Sequence, residues 1–172
     1  MQALGLVKKN FSQLDKHSFV VMYNTYVRPH LEYSAQAWFK KDITCLEKVQ
    51  KWAMKLVKEV THLKYEDRLK ALQLFSLKYR RLWGMLIETY KILTGKVNIG
   101  IEQFFRLSST SLRGHSLKLF KPFASRRCRK EFFSLSVMDE WNSLPESVMY
   151  ACTVDTFNVH FDRFMGDRRY EH

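Results

Sequence analysis

Several residue types and motifs that mark common protein classes are scarce or absent in this chain. Its three cysteines, Cys45, Cys128 and Cys152, are far apart, and no CxxC or CxxH pair occurs. That spacing predicts neither a disulfide framework nor a zinc site. The six histidines also stand apart, without the spacing of paired metal ligands. We therefore expect no bound metal, and reduced thiols in the cytoplasm or the nucleus.

Catalytic motifs are lacking as well. The sequence has no GxxxxGK[ST] loop, no GxGxxG and no G-x-S-x-G nucleophile elbow. Two carboxylate pairs occur, Glu66–Asp67 and Asp139–Glu140. The first falls in the first turn of a predicted helix, where acids favour the helix dipole, and the second is expected to be surface charge. The sequence thus predicts no enzyme activity, no cofactor and no small-molecule substrate.

Long apolar runs are missing too. FVVMY is the longest apolar run in the first helical region, and it is far too short to span a bilayer. The apolar run in the first residues, MQALGLVKKN, is too short for a signal peptide. We expect neither a membrane partner nor secretion. Only 6 glycines and 3 prolines interrupt 172 residues, of which 46% are hydrophobic. A mainly α-helical chain with a real core is therefore predicted.

Helical spacing divides the chain into two predicted domains. Residues 1–95 form a helical bundle, in which Asp15 caps a first helix, a second begins at Pro29, Ser76 caps a later one, and Gly95 ends it. Residues 96–172 form a smaller α-rich region with a basic loop, two helices and one or two short β-strands, one of them within SLKLFKP. Thr153 caps the last helix, and the final DRRYEH is expected to fray.

The clearest helix is predicted from Lys41 to Val60. Its apolar residues cluster on one side at 100° per residue, and its lysines fall on the opposite side. These lysines are Lys48, Lys51, Lys55 and Lys58. An ordinary solvated face is one interpretation of this stripe. Its nearly unbroken positive sign makes contact with phosphates the other.

A second basic segment lies between Ser111 and Phe133. No acid occurs from Gln103 to Lys130, and the formal net charge of the whole chain is +12, which attracts polyanions. We expect Phe120 and Phe123 to pack in the core. The exposed candidates for nucleic-acid contact are Arg126, Arg127, Arg129 and Lys130.

Six segments of the chain, taken in order, carry a resemblance to a known protein family. They are LGLVKKNFSQLD, YVRPHLEYSAQAW, LEKVQKWAMKLV, YEDRLKALQLFSLKYRRLWGMLIETYKILTG, RGHSLKLFKP and FFSLSVMDEWNSLP. This sequence resembles the C-terminal part of a jockey-like, LINE-type reverse transcriptase of non-long-terminal-repeat retrotransposons, over about residues 3–164. The resemblance implies a thumb domain and the segment after it. A thumb holds the template–primer duplex by its backbone, a role that would suit the lysine stripe together with Lys78, Arg80 and Arg81.

Two departures qualify the resemblance. The YxDD-type turn and the further aspartate of the polymerase palm are absent, as is the endonuclease, so the isolated chain is not expected to polymerise DNA. Many members of the family it resembles have a Pro-Gly turn where this chain has Lys58–Glu59–Val60, and this difference is expected to lengthen the helix by a turn.

Two hypotheses follow from the sequence. The first is a nucleic-acid-binding fragment that contacts RNA, DNA or an RNA–DNA hybrid, with the palm of a reverse transcriptase as a further partner. The second is an inactive translated remnant of a transposable element, or one reused as a protein-interaction module, which would leave an apolar patch exposed.

Overall fold

A computed structural model describes residues 15–33, 40–108, 115–123 and 133–171 of the chain. The described residues are mainly helical, as predicted. The α-helices are α1 (Lys16–Met22), α2 (Arg28–Glu32), α3 (Lys40–Met54), α4 (Tyr65–Ala71), α5 (Leu77–Leu93), α6 (Phe133–Ser143), α7 (Glu146–Met149) and α8 (Val154–Met165). Within these ranges, no helix is both long and apolar enough to cross a membrane.

The chain divides into two compact units. The first comprises Met1–Arg81 and Asp167–His172, and the second comprises Leu82–Gly166. The predicted boundary, between residues 95 and 96, lies further along the chain, after the end of α5. The domains 1–95 and 96–172 stay a prediction.

The first unit begins with a capped helix. The Asp15 carboxylate accepts hydrogen bonds from the backbone N–H groups of His17, at 3.1 Å, and Ser18, at 3.3 Å, as the predicted N-cap should. A π-helical turn, Tyr23–Val27, joins α1 to α2. Pro29 is the second residue of α2, which directly follows the π-helical turn, where the α-helical bonding pattern is already changed.

Helix α3 is shorter than the sequence predicted. It ends at Met54, and a separate 3₁₀ turn, Lys58–Val60, follows. Between them the β-branched Val57 adopts an extended backbone, with φ −88° and ψ 103°. The predicted helix end at Val60, and its extra turn, are therefore wrong. Val57 and Val60 are nevertheless buried, so the prediction of an apolar stripe at these positions is confirmed.

The core of the first unit is built from leucines, valines and aromatic rings of α1 to α4 and the segments around them. Its buried members are Phe19, Tyr23, Val27, Leu31, Ala53, Met54, Val57, Val60, Leu69, Leu72, Leu74 and Leu77. The partly buried Tyr65 and Tyr170 pack against this cluster.

Residues 167–171 pack against the rest of the first unit, so the prediction that DRRYEH frays is wrong for these residues, while His172 lies outside the described residues. Residues Gly166–Tyr170 form a 3₁₀ helix. The carbonyl of Arg169 accepts hydrogen bonds from the backbone N–H of Ser76, at 3.1 Å, and from its hydroxyl, at 3.2 Å. The Tyr170 ring lies 5.8 Å from that of Phe75. Apolar packing and two hydrogen bonds thus offset the entropy lost by ordering these residues.

The second unit is built around stacked aromatic rings. The ring of Phe157 lies 4.5 Å from Tyr90 and 6.3 Å from both Trp141 and Phe161. The Tyr90 hydroxyl donates a 2.6 Å hydrogen bond to the carbonyl of Ala151. Three of these rings come from α6 and α8, whose apolar spacing the sequence predicted, and Thr153 caps α8 as expected.

Among the described residues, the predicted strand is reduced to one antiparallel bridge between Leu107 and Leu119. The side-chain amide of Asn142 forms two hydrogen bonds with the backbone of Leu119. Its oxygen accepts one of 2.8 Å from the Leu119 N–H, and its nitrogen donates one of 2.8 Å to the Leu119 carbonyl. An amide side chain from α6 therefore occupies the place of a neighbouring strand, which is why no longer sheet is needed to satisfy this backbone.

Candidate nucleic-acid interface

Helix α3 presents two chemically different faces. Glu47, Gln50, Ala53 and Met54 are buried on one side, while Lys48 and Trp52 are exposed on the other. At 100° per residue these two groups point to opposite sides of the helix axis. Within α3 the sequence prediction is confirmed for Lys48, which is exposed, and for Ala53, which is buried, whereas Lys51 is half-buried and the buried side also holds the polar Glu47 and Gln50.

Glu47 is the only acid between residues 43 and 58, and this residue is 5% exposed. One oxygen accepts a hydrogen bond from the Tyr65 hydroxyl, and the other accepts one of 3.0 Å from the backbone N–H of Leu77. Burial, followed by the nearby charge of Glu47, raises the pKa of Tyr65, so this hydroxyl stays protonated and donates. The negative charge of this segment is thus turned inward, away from the lysine face.

The four predicted lysines have different surroundings. Lys48, Lys55 and Lys58 are exposed, and none of them forms an ion pair within the part of the chain that the structure describes. Lys51 is half-buried, and its ammonium nitrogen lies 4.7 Å from the centroid of the Tyr65 ring. That cation–π contact competes with phosphate binding at Lys51. Three ammonium groups therefore remain as the main candidates.

Glu59, the acid that follows Lys58, forms an ion pair with another lysine. Glu59 is exposed, and its carboxylate lies 3.2 Å from the ammonium group of Lys16. Because this exposed pair is electrically neutral, it reduces the positive field around Lys58 only slightly. Lys48, Trp52, Lys55 and Lys58 are all exposed, and this set of residues is hereafter called the lysine face.

The KYRR segment of α5 separates into one exposed and two enclosed cations. Lys78 is exposed, whereas Arg81 is only 7% exposed. Arg80 donates two hydrogen bonds, of 2.9 and 3.0 Å, to the two carboxylate oxygens of Glu32. Arg28 also bonds Glu32, at 2.8 Å. The geometry thus assigns Arg80 to an internal ion pair, and we leave Arg80 and Arg81 out of the proposed contact surface.

The two arginines favour the ionised form of Glu32. Burial alone would raise the pKa of Glu32, but the hydrogen bonds and charges of Arg80 and Arg28 outweigh burial and hold the pKa below its usual value. Arg80 therefore stabilises the fold through a charge-assisted, bidentate contact.

The second predicted contact segment, with Arg126, Arg127, Arg129 and Lys130, lies outside the described residues. The two phenylalanines before it were predicted to pack in the core, and this prediction is wrong. Phe120 is 48% exposed and Phe123 is 91% exposed. Phe120 follows the bridge at Leu119, and alternation along an extended chain turns it outward when Leu119 is buried.

Sequence reasoning missed Trp52. This residue is 41% exposed, although tryptophan is normally largely buried. A signal was present in LEKVQKWAMKLV, because Trp52 falls outside the apolar stripe and comes four residues after Lys48.

No group of three or more histidines, cysteines and acids that could hold a metal ion is found within the described ranges. Comparison with protein-family models, with curated proteins and with solved structures finds no match to this chain.

Proposed function

We propose that this chain is a nucleic-acid-binding C-terminal fragment of a retrotransposon RNA-directed DNA polymerase, which holds RNA or a template–primer duplex by its backbone. The observation that carries the proposal is the lysine face. Lys48, Lys55 and Lys58 are exposed and unpaired among the described residues, while the one acid within residues 43–58, Glu47, is buried.

The mechanism is neutralisation of phosphates by ammonium groups. Each phosphate contacted releases condensed counterions, so affinity falls steeply as salt rises, and the contact carries no sequence information. No catalytic residue is assigned to the chain. A polymerase palm supplied by other residues would perform the chemistry, and the present surface would hold the substrate.

The lysine face can be tested with a charge-reversal variant. Lys48, Lys55 and Lys58 are changed to Glu together, and binding to a labelled RNA–DNA hybrid is followed by fluorescence anisotropy over a range of salt concentrations. We expect most of the affinity to be lost, together with most of the salt dependence.

A matched control separates local contact from total charge. Lys96, Lys121 and Arg163, three exposed cations of the second unit, are changed to Glu, so both triple variants carry a formal net charge of +6 instead of +12. An equal loss of affinity in the two variants would reject the lysine face as the contact surface. A wild-type chain that binds no nucleic acid at low salt would reject the proposed function itself.

A second function, a protein-interaction module, is favoured by a different observation. Phe104 and Phe120 are 40% and 48% exposed and line a cavity of about 450 Å³ in the second unit, beside the charged Glu102 and Arg106. Exposed aromatic side chains of this kind promote association. Light scattering of the purified chain tests it, because a monodisperse monomer at high concentration argues against a large orphaned interface.

A further inference from the structure

Trp52 lies between Lys48 and Lys55 along the chain. Lys48 lies one helical turn before it, with the two Cβ atoms about 5–6 Å apart at that spacing. Lys55 lies three residues after it, and a 3.1 Å hydrogen bond from the backbone N–H of Lys55 to the carbonyl of Trp52 continues the helical turn between them. An exposed indole is therefore flanked along the helix by two exposed ammonium groups.

The exposure of Trp52 contrasts with that of Trp141 in the second unit. Trp141 is fully buried, and its indole N–H donates a 2.8 Å hydrogen bond to the carbonyl of Leu117. Its burial and its hydrogen bond both stabilise the fold. Trp52 leaves 41% of its surface in water, so its size is not fully explained by core packing.

An exposed ring flanked by cations suits one class of ligand. Unpaired nucleobases present free π-faces that stack on aromatic side chains, while lysines contact the phosphates on either side. Bases inside a duplex are already stacked on their neighbours and offer no such face along the helix. Backbone contact alone would need no indole at this position.

We propose that Trp52 is a stacking platform for an unpaired base of single-stranded RNA or DNA, with Lys48 and Lys55 contacting the flanking phosphates. The inference rests on the proposed function and makes it more specific. It assigns the lysine face to single-stranded nucleic acid, such as the unpaired template beyond a duplex, in preference to a fully paired helix.

The test compares three labelled probes, a short oligouridine, the matching oligothymidine and a blunt RNA–DNA hybrid, in anisotropy titrations. Trp52→Ala should weaken binding of both single strands by about 5- to 150-fold, the range expected for one base–aromatic stack. Trp52→Phe, which keeps a ring, should restore most of that affinity. Neither variant should change the salt dependence or the affinity for the blunt hybrid, because no charge is lost.

Tyr26→Ala provides the matched control. Tyr26 is 61% exposed in the same unit but has no lysine one helical turn away on either side. Its substitution should leave binding unchanged. Thermal unfolding of every variant checks that the fold is intact. Quenching of tryptophan fluorescence by oligouridine should decrease when Trp52 is replaced by Phe, which reports stacking directly.

The possible failures are distinguishable. If the lysine variant loses binding while Trp52→Ala keeps it, the stacking platform is rejected and the proposed function stands. If Trp52→Ala weakens the blunt hybrid as much as the single strands, the indole supports the surface without stacking on a base, and the inference is overturned. Self-association that Trp52→Ala abolishes would assign the indole to a protein interface. A wild-type chain that binds none of the probes would overturn both proposals.

Discussion

The buried carboxylate of Glu47 in α3 accepts a 3.0 Å hydrogen bond from the backbone N–H of Leu77, the first residue of α5. The contact satisfies one of the N–H groups that the first turn of a helix leaves without an internal partner. It also sets a negative charge at the positive end of the α5 dipole. Since Lys48 follows Glu47 directly, the same contact fixes the orientation of the helix that carries the lysine face.

Replacing Glu47 by Ala should lower the free energy of unfolding by about 2 kcal/mol, because one buried and one partly buried donor lose their acceptor, and an unsatisfied buried donor costs about 1–3 kcal/mol. Those donors are the Tyr65 hydroxyl and the Leu77 N–H. Urea unfolding measures the change. Glu59→Ala is the matched control, since its exposed pair with Lys16 should contribute no more than about 1 kcal/mol. Similar losses in the two variants would contradict this account of Glu47.

The ion pair of Glu32 and Arg80 predicts a stability loss in acid. Because the folded-state pKa of Glu32 lies below its ordinary value of 4.5, the pair stabilises the fold above that pH. The stabilisation is lost as pH falls through the lowered pKa. Urea unfolding of the wild type and of Glu32→Gln between pH 5 and pH 2 should give curves that converge in acid. Parallel curves would show that Glu32 does not titrate in this way.

His115 predicts a second loss of stability on acidification, which begins at a higher pH than the loss at Glu32. Burial lowers the pKa of His115 from its ordinary value of 6.5, and the charge of Lys118 adds to this. The contact with the Trp141 carbonyl and the charge of Glu146 oppose the shift without cancelling it. Because that carbonyl can only accept, Nε2 carries the proton, and Nδ1 is buried without a partner among the described residues.

The sign of the His115 effect follows from its lowered pKa. The neutral form contributes stability above pH 6.5, and this contribution is lost as pH falls towards the folded-state pKa. His115→Gln keeps an N–H donor but cannot titrate. Its unfolding free energy should therefore change less than that of the wild type between pH 7.5 and pH 5. Equal slopes in the two proteins would show that the imidazole is not the titrating group.

The sequence predicts the parts of this fold that depend on local chemistry. Asp15, Ser76 and Thr153 cap helices as expected, and Gly95 takes the positive φ of 67° that a helix-ending glycine permits. Each of these outcomes needs only a few neighbouring residues. The predicted end of α3 fails because no glycine or proline marks Val57, and tertiary packing decides the turn there.

The candidate site was predictable only in part, for a related reason. Helical spacing places Lys48 opposite the core, which local periodicity is enough to predict. The partner of Arg80 is Glu32, 48 residues away, and no local pattern indicates that pairing. The same limit applies to Glu47, whose partners come from α4 and α5. A composition count does not distinguish one lysine or arginine from another. Only the three-dimensional structure shows which of these cations are exposed to solvent and which are enclosed in internal contacts.

Lys78 and Arg80, two residues apart on α5, should therefore respond in opposite ways to the loss of one positive charge. Arg80→Gln breaks a bidentate contact and should lower the free energy of unfolding by about 1–3 kcal/mol, with little change in nucleic-acid affinity at temperatures where the variant is folded. Lys78→Gln removes an exposed ammonium group and should change stability by no more than about 0.5 kcal/mol.

The binding measurement supplies the second half of this comparison. If Lys78 contacts a phosphate, its variant should weaken binding to all sequences alike and reduce the slope of log affinity against log salt by about one. Arg80→Gln should leave that slope unchanged, because its guanidinium is held by Glu32 and not by the ligand. A lowered slope in the Arg80 variant, with Lys78→Gln unaffected, would reverse the assignment of these two cations.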